Sequence, residues 1–390
     1  MEFIDLKAQQ NQLLEDGETL REDINRRIKK VLDHGRYIMG PEVNEIELKL
    51  AKYVGVKHCI GVSSGTDALL VALMALGIKP GDEVITTPFS FFATVETILL
   101  LGAKPVFVDI ENLTFNLDPK KIENAISRKT KAIIPVSLYG QPANFKEINL
   151  IAKKYDIPVI EDGAQSFGST HNKKRSCGLS TIGVTSFFPS KPLGCYGDGG
   201  ACFTNNDFLA NSMRQIALHG QEKRYEHLKI GLNGRLDTIQ AAVLLAKLNI
   251  FEKEVHLRQE IGDKYTQKLN KKGFQKTPSL EPQNTSVYAQ YTVQVESREE
   301  VIKFLKNKSI PTSIHYPKLL QDQDALCAKK SGFIKNFFHK KIYKSHVIPN
   351  ARNLVSKVLS LPMHPMLSDK DQDLVVETLI NANKSANKLP

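Results

Sequence analysis

Short apolar runs alternate with amphipathic stretches through the N-terminal part of the chain, and this alternation constrains the fold more than any other feature. Runs at His58–Val62, Glu83–Thr87, Pro105–Asp109, Ala132–Ser137, Pro158–Glu161, Val184–Phe188 and Ala201–Thr204 read as strands. Thr66–Leu76, Pro119–Ala125 and Phe145–Tyr155 read as helices between several of them. The pattern predicts an α/β fold with a large, mostly parallel sheet covered by helices. Ligands of such sheets sit beyond the carboxyl ends of the strands. A helix-period stretch follows at about Leu236–Leu269, and Lys271–Asn284 reads as a turn or linker. Beyond it come a strand near Val287–Val295, a helix near Glu299–Asn307, a strand near Pro311–His315 and a final helix near Asp369–Ala382. These read as a smaller C-terminal α/β domain. The expected division is a large domain over residues 12–250 and a small one over 251–390, joined by the N-terminal segment 1–11.

Composition narrows the function classes. With 41 % apolar and 24 % charged residues the chain is ordinary globular material and not a disordered one. The net charge of +11 fits either a solvated basic surface or attraction to phosphates, carboxylates or nucleic acid. Only short basic runs occur, such as Lys173-Lys174-Arg175 and Lys340-Lys341, without the clustered aromatic partners of a nucleic-acid binder. Cys59, Cys177, Cys195, Cys202 and Cys327 are widely spread and form no CxxC pair, which argues against a disulfide framework or zinc ribbon. The His and Cys spacings match no metal-ligand pattern, so no metal is expected. The N-terminus is charged, and no run reaches the length of a membrane span. A cytoplasmic protein without a membrane partner is the expectation.

Three motifs could carry chemistry. In Ser63-Ser64-Gly65-Thr66-Asp67 a strand ends and a helix begins, which offers free backbone N–H groups and hydroxyls to a phosphate. The alternative is a helix capped by serine or threonine. In Ile160-Glu161-Asp162-Gly163-Ala164-Gln165 a carboxylate stands at the end of an apolar strand, where it needs a cationic partner unless it is only a cap. In Phe187-Phe188-Pro189-Ser190-Lys191-Pro192-Leu193-Gly194 a lysine sits in a loop of apolar and small residues. A lysine desolvated there becomes a nucleophile able to form a Schiff base, whereas a surface lysine is the bland reading. Together, an anion site, a strand-end Asp and a loop lysine are what pyridoxal phosphate requires.

The sequence resembles the DegT/StrS sugar aminotransferases, enzymes of the aspartate-aminotransferase-like fold type I that use pyridoxal 5'-phosphate. The resemblance runs through SSGTDAL, IEDGAQSFG, TSFFPSKPLGCYGDGGA, GLNGRLDTIQAA, IHYP at Ile314–Pro317 and SLPMHP at Ser360–Pro365. Within the family it is nearest to enzymes that act on UDP-2-acetamido-2-deoxy-3-oxo-D-glucuronate for bacterial surface polysaccharide synthesis. Another UDP- or dTDP-linked 3-keto or 4-keto sugar stays open, as does a non-catalytic regulator of the same fold, although Lys191 is present.

The resemblance implies roles for particular residues. Lys191 would carry the cofactor and shuttle the proton, and Asp162 would pair with the pyridine nitrogen. Gln165 would lie near the ring hydroxyl, and Phe91 would stack on the ring, with Phe89 or Phe92 as alternatives. Gly65, Thr66 and Ser186 would hold the phosphate, and Asn233 would reach the phosphate of a neighbouring subunit's cofactor. Arg235, His315 and Tyr316 are expected on the substrate side, supplied by the neighbour of a homodimer with shared sites. Arg36, Arg235 and His315 are candidate cations for a sugar carboxylate. L-Glutamate would be the amino donor. The lysine-rich segment 321–350 fits the family poorly.

Overall fold

The computed structural model describes residues 1–326 and 343–386. Residues 327–342, with Cys327 and Lys340-Lys341, lie outside the described residues, so the reading of segment 321–350 is only partly covered. Among the described residues eight strands build the main sheet: β1 (His58–Val62), β2 (Glu83–Thr86), β3 (Lys104–Phe107), β4 (Thr130–Ile134), β5 (Ile160–Asp162), β6 (Ile182–Ser186), β7 (Gly200–Thr204) and the short β8 (Lys344–Ser345), which pairs in parallel with β3. One hydrogen-bonded run has the order β1-β7-β6-β5, and β3-β2-β4 belongs to another. Parallel bridges Ile133↔Val159 and Val136↔Asp162 join the two at the β4–β5 junction. The pairs β5–β6, β2–β3 and β2–β4 are parallel. The sheet is mixed, because β7 runs antiparallel to both β1 and β6.

Alternate strand residues feed opposite layers, as the two-residue period requires. Ile60, Val62, Val84, Ala132, Ile134, Ile182 and Val184 face one core with helices α1 (Gly65–Ala75) and α2 (Asp207–Ala217). Cys59, Ala201 and Phe203 face the other way, against the helix Pro41–Val54 and the first half of α3 (Thr238–Lys271). Ile85, Val106 and Ile133 face the helix Phe145–Lys154. Burial on both faces explains why the strands read as apolar runs.

Helix α3 spans 34 residues and enters two cores. Its later residues Ile261, Tyr265 and Leu269 pack with the antiparallel pair Tyr291–Gln294 and Val358–Leu361 and with the helices Arg298–Asn307 and Asp369–Ala386. Two expected elements differ. Pro119–Ala125 forms two short 3-10 turns rather than one helix, the first opened by Pro119 and capped by Asp118. Pro311–His315 makes only the isolated bridge Ser313↔Ser360 rather than a strand. Among the described residues no helix is long and apolar enough to cross a membrane.

Candidate active site

A cavity of about 450 Å³ opens at the carboxyl ends of β5 and β6. It is lined by residues of all three motifs, Gly65, Thr66, Asp162 and Lys191 among them, with Ser186 between. The first motif caps and cradles at once. Ser64 Oγ accepts from Asp67 N at 3.0 Å, while Gly65 and Thr66 line the cavity at the helix start, where backbone N–H groups precede the first helical bonds. A Cβ on Gly65 would lie 2.6 Å from Ser186 Cβ, so only glycine lets β6 approach the helix start so closely.

Asp162 ends β5 with its side chain in the cavity. Its Oδ1 accepts from Ala164 N at 3.2 Å and its Oδ2 from Thr94 Oγ1 at 3.1 Å. Burial pushes its carboxyl above the usual range, and the Ala164 N–H, the Lys191 charge and Thr94 each oppose that. Burial likewise lowers the Lys191 ammonium, against the pull of Asp162. The lysine loop is pinned by Lys191 N donating to Phe188 O and Cys195 N to Phe187 O, each at 2.8 Å.

The ring of residues around this pair is specific. Gln165 Oε1 accepts from Tyr139 N at 2.7 Å, and its Nε2 donates to Tyr316 Oη at 2.9 Å. Tyr139 Oη in turn donates to His315 O. His315 Nδ1 pairs with Ser360 Oγ at 2.9 Å. Burial, aided by the Lys191 charge, lowers the His315 imidazole to about 4, so it is neutral at physiological pH. Of the three candidate phenylalanines, Phe91 lines the cavity and is 57 % exposed, with its ring 6.1 Å from that of Tyr316. Phe89 is fully buried against Phe115, and Phe92 packs with Val95 and Phe107.

One expectation needs correction. His315 and Tyr316 line the same cavity as Lys191 within one chain, so no neighbour is needed to bring them there. Asn233 and Arg235, expected to reach a neighbour's site, do not line the cavity of their own chain. They sit in a second cavity of about 440 Å³ with Ile38, Ser63, Asp237 and Gln240, where Arg235 donates to Asn233 Oδ1. Arg36 is exposed and lines neither cavity. Thr94, Tyr139 and Gln290 were not singled out by the sequence. Thr94 carried a weak signal, being a hydroxyl three residues beyond Phe91; Tyr139, in a turn at φ 60°, carried none.

The residues fit pyridoxal phosphate. A glycine-opened helix start, the hydroxyls of Thr66 and Ser186, the buried Asp162 carboxylate and the half-buried Lys191 all line one cavity. Fold and cavity together are those of a pyridoxal-phosphate-dependent transferase of fold type I. The model of the DegT/DnrJ/EryC1/StrS aminotransferase family matches residues 18–380, and the chain belongs to that family. The chain is 52 % identical over 381 residues to the UDP-2-acetamido-2-deoxy-3-oxo-D-glucuronate aminotransferase of Pseudomonas aeruginosa, covering 98 % of this chain and 100 % of that one. A crystal structure of a DegT DnrJ EryC1 StrS aminotransferase from Brucella abortus superposes with TM-score 0.89 at 40 % identity, over 98 % and 99 % of the two chains. The structure of ntda from Bacillus subtilis with bound cofactor pmp superposes with TM-score 0.84 at 31 % identity, over 95 % and 83 %.

Proposed function

We propose that the protein moves the amino group of L-glutamate to the keto carbon of a nucleotide-linked sugar, UDP-2-acetamido-2-deoxy-3-oxo-D-glucuronate, giving the 3-amino sugar for bacterial surface polysaccharide. The observation that carries this reading is the full-length similarity to the Pseudomonas aeruginosa enzyme, in a chain whose cavity holds Lys191, Asp162 and the Gly65–Thr66 cradle together. When bound, the cofactor supplies an aldehyde that carries the amino group and a ring that accepts electrons. Lys191 would hold it covalently and then, as a free amine, would move the proton between the substrate carbon and the cofactor carbon in each half-reaction. Asp162 holds the proton of the ring nitrogen. Gly65, Thr66 and Ser186 bind the phosphate, Gln165 orients the ring hydroxyl, and Phe91 covers the ring. His315 and Tyr316 meet the substrate.

The working unit in this reading is a cytoplasmic homodimer that shares its sites. Asn233 and Arg235 serve the partner's cavity, and Arg36 lies two residues before Ile38, which bridges to Asp237. The support is that the segments joined to the stretch 233–237 carry exposed apolar groups: Tyr37 and Ile38 in one, Tyr225, Leu228 and Ile230 in the other, the last 85 % exposed. The bridges Ile38↔Asp237 and Leu218↔Asn233 tie the two segments to the stretch that carries Arg235. The chain divides, in the same reading, into a large domain over residues 12–250 and a small one over 251–390 with the N-terminal segment. The separate cores on the two halves of α3 favour this. A panel of UDP- and dTDP-linked keto sugars, assayed with L-glutamate and the purified holoenzyme, tests the function. The uronate should give the highest kcat/KM; a better 4-keto or non-uronate substrate overturns the assignment.

A further inference from the structure

Helix α3 carries a lysine that the reaction does not use. Lys247 is 2 % exposed, although a lone ammonium is costly to bury. Its Nζ donates to Gly194 O at 2.6 Å and lies 4.9 Å from the centroid of the Tyr196 ring. Burial lowers the ammonium to about 8, with Glu254 and Cys195 acting against the shift and Arg258 adding to it. Two turns earlier on the same helix, Gln240 binds the same loop. Its Oε1 accepts from Tyr196 N at 2.8 Å and its Nε2 donates to Tyr196 O at 3.3 Å. Residues seven apart share one helix face, so both side chains reach from one ridge of α3 onto one loop.

That loop is the one that presents Lys191. It closes on itself so tightly that a Cβ on Gly194 would lie 2.5 Å from Pro189 O and 2.7 Å from Phe188 O. Gly194, whose carbonyl Lys247 grips, is therefore packed through its α-carbon against the backbone that leads into Lys191. Buried charges can often be replaced by apolar groups of similar size at little cost in stability, so stability alone does not account for an ammonium here. We propose that Lys247 is a positioning residue for the aminotransferase reaction: with Gln240 it clamps the loop Lys191–Tyr196 to α3 and so fixes where the Lys191 amine stands. The proposal rests on the reading of Lys191 as the cofactor-bearing lysine.

The test compares Lys247→Met, which keeps volume and removes the donor, with Gln240→Leu, which removes the second grip. Each is purified as holoenzyme and read by the pH midpoint of the absorbance of lysine-bound cofactor, by kcat and KM for L-glutamate, and by melting of the apoprotein. The expected result for Lys247→Met is a fall of about tenfold in kcat with KM little changed, because a loosened loop misplaces the reacting amine. The absorbance midpoint should shift upward as water reaches Lys191. Gln240→Leu should move both readouts the same way by less, and it carries the test alone if Lys247→Met does not fold. Unchanged kcat and midpoint overturn the proposal, and so does a lowered melting temperature with both unchanged. Lys191→Ala, run in parallel, separates the two readings. Loss of the absorbance there beside wild-type behaviour of Lys247→Met overturns the clamp alone. Absorbance retained in Lys191→Ala overturns the role of Lys191, and the clamp with it.

Discussion

The two cavities on either side of the Lys191 loop are nearly equal in volume and built on opposite terms. In the Lys191 cavity the polar groups that matter are tied to protein: Asp162 to Thr94 and Ala164, Gln165 to Tyr139 and Tyr316, His315 to Ser360. In the Arg235 cavity the guanidinium reaches Asn233 beside it, and the exposed Ile38 is part of the lining. Asp198 lines both, so the loop from Lys191 to Asp198 is their common wall. A cavity with fixed partners can set the charge and direction of a cofactor without help. One that joins a cation to exposed apolar surface is the kind of cavity that the proposed homodimer would complete.

The comparison breaks at once if the Lys191 cavity is not where the chemistry lies. Lys191→Ala should lose the absorbance of bound cofactor and at least about 10³-fold in transamination, read by single-turnover kinetics with glutamate. Turnover near wild type would move the site elsewhere. The open cavity is tested by mixing. Arg235→Ala should lower kcat/KM for the nucleotide sugar by roughly 10- to 100-fold, the cost of a charge-assisted hydrogen bond, while leaving cofactor absorbance in place. Unfolding and refolding Lys191→Ala together with Arg235→Ala should then restore activity, because some dimers gain one site free of both changes. No recovery on mixing would mean that each chain completes its own site.

A smaller effect sharpens the contrast within the Lys191 cavity. Thr94→Val removes the hydroxyl that donates to Asp162 Oδ2 and accepts the Ser90 contact, also at 3.1 Å. Asp162 then loses a bond that holds it ionised, and kcat should fall about fivefold, the worth of roughly 1 kcal/mol. Thr94→Ser should recover most of it. An unchanged rate in Thr94→Val would leave Asp162 oriented by Ala164 N alone.

The same contrast explains what the sequence made legible. Residues that bind through backbone and strand ends, such as Gly65, Asp162 and Lys191, announce themselves, because a glycine at a helix start or a carboxylate after an apolar run is unusual in itself. The sheet was legible for the same reason, apart from β7 and the short β8. Nothing in Gly200–Thr204 distinguishes a parallel strand from an antiparallel one, since both faces are buried in either case. The tertiary partners were silent. Thr94 lies 68 residues from Asp162, and Lys247 lies 53 from Gly194, so only folding brings them together. His315 and Tyr316 were recognised, but the chain that supplies them was not, because a motif carries no record of which subunit's cavity it lines.

The smallest expected effect concerns the other face of the same strand. Glu161 precedes Asp162 and points away from the cavity, fully buried. It accepts from Ser176 Oγ at 2.7 Å and from Leu179 N at 3.2 Å, which holds the turn behind the cofactor wall. Burial nevertheless raises its carboxyl to about 7, with Asp162 adding to the shift. The folded state therefore binds this proton more tightly than the unfolded chain does. Its stabilising contribution is full below pH 4.5 and is lost as pH rises through 7. Glu161→Gln has no proton to lose. The melting temperature of the wild type should therefore decline relative to that of Glu161→Gln between pH 5 and 8, by roughly 3–6 °C for about 3 kcal/mol. A difference flat across that range would mean that Glu161 does not change its charge there and contributes nothing to the pH dependence of stability.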